Sequence, residues 1–357
     1  MLRDTLRAQL QLSSTDRASV SEAVFAFYRW RGWLDRHAPL RDQIERALEL
    51  ADRFAARPEE FTNDDLFHHA VPAWLKTVMQ VTPAWLRTLQ TPPSLWLRAR
   101  RGQGRELARL LEDCRPFGQG ALADALKYRG HQDLFRTPAF HAGQFELQDL
   151  SSQAVGLICA PVPGQTWWDA CAGEGGKLLH LSDLMENKGL IWASDSASWR
   201  LQKLKHRAAR SRVFNYRSAL WDGGPKLPTK TRFDGVLVDA PCSGIGTWQR
   251  NPHARWTVTA DDIQELSALQ TRLLCHAAPA VKPGGRLIYA VCTFARAETV
   301  GVAQAFQNQC PGFVPLPFAD PLTSAGAPAP MLQYWPQDHA GAGMFIACWS
   351  RPVPGPG

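Results

Sequence analysis

Residues 166–195, "TWWDACAGEGGKLLHLSDLMENKGLIWASD", hold a strand, a turn, a helix and a second strand in one short span. The apolar run "TWWDACA" gives way to Gly173, Gly175 and Gly176, and a helix-length apolar–polar segment starts at once afterwards. A second apolar run, "GLIWASD", then ends in Asp195. Strand–helix–strand order of this kind builds a parallel sheet with helices on its faces. Glycines at the first turn permit a tight bend and let backbone amides approach a ligand closely. The loop lacks G-x-x-x-x-G-K-[ST] and so is not a phosphate-binding P-loop.

The same rhythm continues outward from about residue 143. Apolar runs recur at "RVFNY" (212–216), "FDGVLVDA" (233–240), "GRLIYAVC" (285–292) and "GMFIACWS" (343–350), with helix-length segments between most of them. The expected fold class is α/β, with a mostly parallel sheet. Upstream, "VSEAVFAFYRWRGWLDRH" (20–37) and "LRDQIERALELADRFA" (40–55) repeat apolar residues at helical spacing. "TPPSLWLRARRGQGRELARLLEDC" (91–114) then reads as a strand, a basic turn and a helix. The expected series is a helical region 1–88, a small α/β accessory module 89–142 that is a candidate for RNA binding, a catalytic domain 143–351 and a flexible tail 352–357.

With 357 residues, 45% of them hydrophobic, the chain can bury a full core. A formal charge of +7 and 14 tryptophans favour an acidic, base-bearing partner such as RNA or DNA. The 8 cysteines include no C-x-x-C pair and no cluster at zinc spacing, so neither a metal nor a disulfide framework is expected. The first residues lack the apolar core of a signal peptide, and no apolar run is long enough to span a bilayer. A cytoplasmic, monomeric protein with no membrane partner is the expectation.

Asp195 lies 22 residues beyond Gly173, where an acid can accept both ribose hydroxyls of a nucleoside cofactor. Nicotinamide cofactors and S-adenosylmethionine both carry that ribose. Glu174 in the loop disfavours a pyrophosphate and suits a cationic sulfonium. "FDGVLVDAPCSGIGTWQRNPHARW" (233–256) sets Asp239 and Cys242 at a strand end, and Cys292 closes the next strand in "RLIYAVCTFARAET" (286–299). Cytosine's fifth carbon is a poor nucleophile until a thiolate adds to the sixth and turns the ring into an enamine. An acid bonded to the ring nitrogen and amine stabilises that adduct. With two thiols at neighbouring strand ends, one can add while the other assists departure of the product.

These motifs together resemble the Sun-type RNA (cytosine-5) methyltransferases, the family of the Sun/Fmu and Nop/NSUN proteins. "LQDLSSQAV" resembles its entry helix, "DACAGEGGK" its D-A-C-A-A-P-G-G-K loop, and "DAPCSGIGTWQRNPHARW" its D-A-P-C-S-G motif with R-x-P-x-x-x-W. "AVCTFARAE" is similar to its T-C-S-x-x-x-x-E segment, and "YWPQDHAGAGMFIA" to its closing strand. The resemblance implies a Rossmann-like domain, with a mostly parallel seven-stranded sheet, that uses S-adenosylmethionine. Cys171, Ala172, Gly173, Glu174, Gly175, Gly176 and Lys177 would cradle the cofactor, Asp195 would hold its ribose, and Arg200 would stand nearby. Arg217 falls where the family has an aspartate near the adenine, with Ser218 beside it as a substitute. Asp239 would lie between methyl and cytosine, Cys292 would be the nucleophile and Cys242 would promote release. Glu174, His253 and Val291 depart from the family's proline, aspartate and threonine.

Ribosomal RNA leads as substrate, with tRNA second. A DNA methyltransferase attacking through Cys242, a non-catalytic ribosome-assembly factor and a nicotinamide dehydrogenase remain as alternatives at this point. Arg250 and Arg255 are candidates for gripping the RNA strand, and Trp248 and Trp256 for stacking on bases. Arg200, Lys203, Lys205, Arg207, Arg210, Arg212 and Arg217, with no acid among them, form a second candidate RNA surface.

Overall fold

The computed structural model describes Thr5, residues 13–323 and residues 326–354. They form two compact units. One holds Thr247–Ala260 with the chain up to Pro93; the other holds Ser94–Gly246 with Asp261 onward. Among the described residues, no helix is long and apolar enough to cross a membrane.

The first unit is helical, with helices Ser14–Trp30, Leu40–Ala56, Asn63–His69, Leu75–Val78 and Pro83–Leu89. Ser13 and Thr62 begin two of them through reciprocal bonds with Asp16 and Asp65, satisfying amides that a helix start leaves open. Their apolar faces meet at Trp30, whose ring lies 4.9 Å from Trp33, 5.6 Å from Phe54 and 5.2 Å from Phe61. Thr247–Ala260 completes this core rather than the catalytic one. Trp248 is buried 6.3 Å from the Trp85 ring and 6.5 Å from that of Trp74. The expected unbroken catalytic domain 143–351 is therefore interrupted, because this segment finds its apolar and hydrogen-bonding partners among the N-terminal helices.

The second unit contains two sheets. Strands β1 (Leu95–Ala99), β2 (Cys114–Pro116), β3 (Ala125–Tyr128) and β4 (Phe145–Leu147) form an antiparallel sheet in the order β2-β3-β1-β4. The expected boundary at 142/143 cuts through this sheet, since β4 lies beyond it. Arg98 on β1, 4% exposed, donates to Asp183 Oδ2 at 2.8 Å and to Gln148 Oε1 at 2.7 Å. That buried pair fixes the small sheet to the helix Gly176–Leu184.

The large sheet has strands β5 (Thr166–Asp169), β6 (Leu190–Asp195), β7 (Tyr216–Leu220), β8 (Phe233–Asp239), β9 (Val281–Val291), β10 (Val314–Pro315), β11 (Met331–Tyr334) and β12 (Met344–Ser350). Its order is β10-β12-β9-β8-β5-β6-β7, with β11 also paired to β12. The count is eight rather than seven, because the short β11 pairs antiparallel along β12. Pairings from β7 through β9 are parallel, and β12 runs against β9. This is a Rossmann-like fold. Strand order reverses at β5, so the ends of β5 and β8 flank the crevice where ligands bind in such sheets. Gly235 sits mid-strand in β8 because a Cβ there would stand 2.3 Å from the Trp167 ring.

Candidate active site

β5 ends at the fully buried Asp169, and the chain turns through residues 170–175 into the helix Gly176–Leu184. Gly173 and Gly175 have φ of 55° and 86°, the left-handed region that glycine enters without a steric penalty. A Cβ at Gly175 would meet Leu204 at 2.8 Å, whereas Gly173 and Gly176 face open space. The Gly173 N–H donates to Asp195 Oδ2 at 3.0 Å, and the Ala197 N–H donates to Oδ1 at 2.9 Å. The acid that ends β6 thus shapes the glycine loop and starts the next helix. A cleft of about 280 Å³ opens beside it, lined by Cys171, Gly173, Asp195, Arg200, Asp222 and Asp239 among others.

Reactive groups gather where β8 and β9 end. Lys177 Nζ lies 2.5 Å from Asp239 Oδ2. Burial opposes the Lys177 charge, yet Asp239 and then Cys292 outweigh it and hold the ammonium above its ordinary range. Asp169, buried at the end of β5, is pushed up to about 7, first by burial and then by the Asp239 charge.

The Cys242 and Cys292 sulfurs are 3.4 Å apart. Parallel pairing brings them together: Asp239 stands opposite Ala290, and beyond the strands the Gly246 N–H donates to the Cys292 carbonyl at 2.9 Å. The hydrogen bond with Cys292, burial and the nearby Glu298 all push the Cys242 thiol up. The pair is therefore unequal, with a lysine ammonium by Cys292 and a carboxylate by Cys242.

The family model described as 16S rRNA methyltransferase RsmB/F matches residues 156–350. The chain belongs to that family. One RsmB/F relative, the probable ribosomal RNA small subunit methyltransferase B of Synechocystis, is 38% identical over 223 residues, covering 59% of this chain and 48% of that protein. The protein of the same name from Bacillus subtilis is 36% identical over 181 residues, covering 50% and 40%. The chain thus spans about half the length, or less, of these curated relatives. The crystal structure of PH0851 superposes with a TM-score of 0.80 over 98% of this chain and 93% of that one, at 24% identity. NSun6 from Pyrococcus horikoshii gives 0.65 over 75% and 93%, at 20% identity. Both share the fold.

In this RsmB/F chain, Cys171, Gly173, Asp195, Arg200 and Asp239 line one cleft, as a common site requires. Ala172, Gly175 and Gly176 do not line it and instead build the turn, with the Ala172 N–H bonded to the Ser194 carbonyl at 2.8 Å. Glu174 faces outward to Lys203 at 2.9 Å. Lys177 is turned to Asp239. Arg217 and Ser218 are a correction, for neither lines the cleft. They pair with Trp192 and Ala193 inside the sheet, whereas Leu220 pairs with Asp195 at the strand end. The cleft is bounded after β7 by Trp221, Asp222 and Gly223, which the sequence reading missed. Their signal was "LWDGG" (220–224), an acid followed by two glycines just past a strand.

Arg255 is also corrected. It is 0% exposed, and its guanidinium donates to the Leu89 carbonyl and approaches those of Arg29 and Ala70 within the helical unit. Burial and the neighbouring Arg29 drive its pKa down, so it serves the fold rather than an RNA phosphate. Trp248, buried likewise, cannot stack on a base, and the Trp256 indole N–H donates to the Tyr28 carbonyl at 2.7 Å. Arg250 is exposed. In the basic run, Arg207 pairs with Glu146 at 2.8 Å and Arg210 pairs with the same carboxylate. With Lys203 on Glu174, that run is in large part an internal latch rather than a free phosphate-binding strip.

Proposed function

We propose that this chain transfers the methyl group of S-adenosylmethionine to the fifth carbon of a cytosine in small-subunit ribosomal RNA. The observation that carries the reading is the pair of thiols 3.4 Å apart, with Cys292 near the Lys177 ammonium that Asp239 holds; Asp239 lines the cleft and the two thiols lie outside its lining. The family description, 16S rRNA methyltransferase, supports the substrate class. The cleft suits the cofactor: backbone lies open at Gly173, and the Asp195 and Asp222 carboxylates can accept from ribose hydroxyls and an adenine amine. Bound there, S-adenosylmethionine would supply an electrophilic methyl on a positively charged sulfur.

Cys292 is the nucleophile, with the Lys177 ammonium near its sulfur. The sulfur bonds to the sixth carbon of the ring, and the electron pair displaced to the fifth carbon makes that atom nucleophilic. Asp239, held by Lys177 at 2.5 Å, accepts from the exocyclic amine and so favours cytosine. After transfer, the proton at the fifth carbon passes to solvent water, the electron pair left behind re-forms the ring double bond, and the Cys292 thiolate is expelled beside the Cys242 thiol, 3.4 Å away, which can donate a hydrogen bond to it. Cys242 serves this elimination. Arg250, exposed just past the Cys242 loop in sequence, is a candidate contact to the strand, and the target base must leave its stack to reach Cys292.

Bisulfite sequencing of RNA tests this in cells lacking the gene, complemented with wild type or with Cys292→Ala. A small-subunit rRNA cytosine should lose protection in the deletion and regain it only with wild type. No change at any cytosine under full coverage overturns the reading. A change confined to tRNA keeps the chemistry and moves the substrate.

A further inference from the structure

We infer that Glu298 is the positioning residue that sets the spacing of the two reactive thiols. It is 0% exposed, lies six residues past Cys292 and is absent from the cleft lining. Its Oε1 accepts from the Ser243 backbone N–H and from Gln270 Nε2, both at 2.9 Å. Its Oε2 meets the hydroxyls of Ser243, at 2.5 Å, and Thr293, at 3.1 Å. Those hydroxyls are 2.7 Å from each other, so two protons are shared among three oxygens.

Ser243 directly follows Cys242, and Thr293 directly follows Cys292. One carboxylate therefore grips both loops at the residue beside each thiol. Its own place is fixed in turn. Gln270 also donates to the Pro241 carbonyl at 2.9 Å, and the Tyr289 hydroxyl lies 2.9 Å from Gln270 Oε1 and 2.6 Å from the Glu298 carbonyl. A buried polar network this fully satisfied is rigid, and losing its central acceptor strands several donors at once. On the reading proposed above, Glu298 governs both addition by Cys292 and elimination served by Cys242, without touching the base.

Diamide, an azo oxidant, measures the spacing without RNA or cofactor. Two thiols lose their protons and two electrons to form a disulfide, and the azo bond is reduced to a hydrazine. The linking rate of Cys242 to Cys292 in the full chain is read by mass spectrometry of the joined peptides. Glu298→Ala should slow linking by about tenfold or more, the scale on which a displacement near 1 Å acts. Glu298→Gln, which keeps the shape and can rebuild the contacts, should link near the wild-type rate. Affinity for S-adenosylmethionine should be the same in all three. Wild-type linking in Glu298→Ala overturns the proposal, as does a slowing that merely tracks lost cofactor affinity. If Glu298→Ala does not fold, Thr293→Val cuts the tie to the Cys292 loop alone; slower linking supports the assignment and an unchanged rate overturns it. Slowed linking in a protein that methylates no RNA leaves Glu298 as the spacer and removes the function proposed above.

Discussion

Cys242 and Cys292 stand 3.4 Å apart in unequal surroundings, and the function proposed above gives them different tasks. Cys292→Ala should reduce methyl transfer to background while cofactor affinity stays within about threefold of wild type, read by radiolabel transfer and calorimetry. Cys242→Ala should accumulate protein bound to RNA as a species stable in denaturing gels; full turnover there would remove it from the elimination. Asp169 makes a separate prediction. Its folded value of about 7 exceeds its ordinary 3.8, so between these values the folded state keeps a proton that the unfolded chain has lost. Stability should therefore fall as pH rises through that window, by about a few kcal/mol. The melting temperature of Asp169→Asn relative to wild type should climb from about pH 5 to about pH 8; a flat difference would contradict the buried, raised carboxyl. Asp239 and both thiols were legible in the sequence because reactive side chains ended apolar runs. Asp222 was not, because its place depends on where β7 ends. The chain turns through Arg212 at a φ of 52° and pairs with β6 only from Tyr216 on.

The helix Ser198–Arg210 illustrates what local pattern leaves hidden. Its basic residues looked free because their acids are far away in sequence: Glu146 lies 61 residues from Arg207 and Glu174 lies 29 from Lys203. Burial favours the neutral form of Glu146, but Arg207 and Arg210 outweigh it and hold the carboxyl below its ordinary 4.5. The latch thus contributes fully above that value and fades as pH falls through it. Glu146→Ala leaves two partly buried guanidiniums without their acid and should cost about 3 kcal/mol in urea unfolding at neutral pH. Strand interiors were easier to read, because β5, β6, β8 and β9 are apolar runs bounded by turn residues. Gly235 within β8 marks where the Trp167 indole crosses the sheet, and Gly235→Ala should destabilise by about 1–3 kcal/mol through overpacking.

For the molecule as a whole, the sequence conveyed order along the chain but not its doubling back. Nothing local distinguishes Thr247–Ala260 from the catalytic residues before it, since its partners lie near Arg29, Ala70 and Leu89. Two arginines five residues apart in sequence should therefore behave differently. Arg255→Ala should lower the unfolding midpoint, by about 1–3 kcal/mol for the carbonyls left unpaired, and leave the salt dependence of RNA affinity unchanged. Arg250→Ala should reduce the salt slope by about one. Equal salt slopes in both variants would argue against Arg250 as a phosphate contact. Because Trp248 and Arg255 complete the helical core, that core stays unfinished on the ribosome until the segment Thr247–Ala260 has been synthesised. A nascent chain must carry its first helices incomplete through translation of the glycine loop, Asp239 and Cys242. By the same logic, a fragment beginning at Ser94 would carry an orphaned tryptophan and an unmatched guanidinium, exposed in the middle of its sequence.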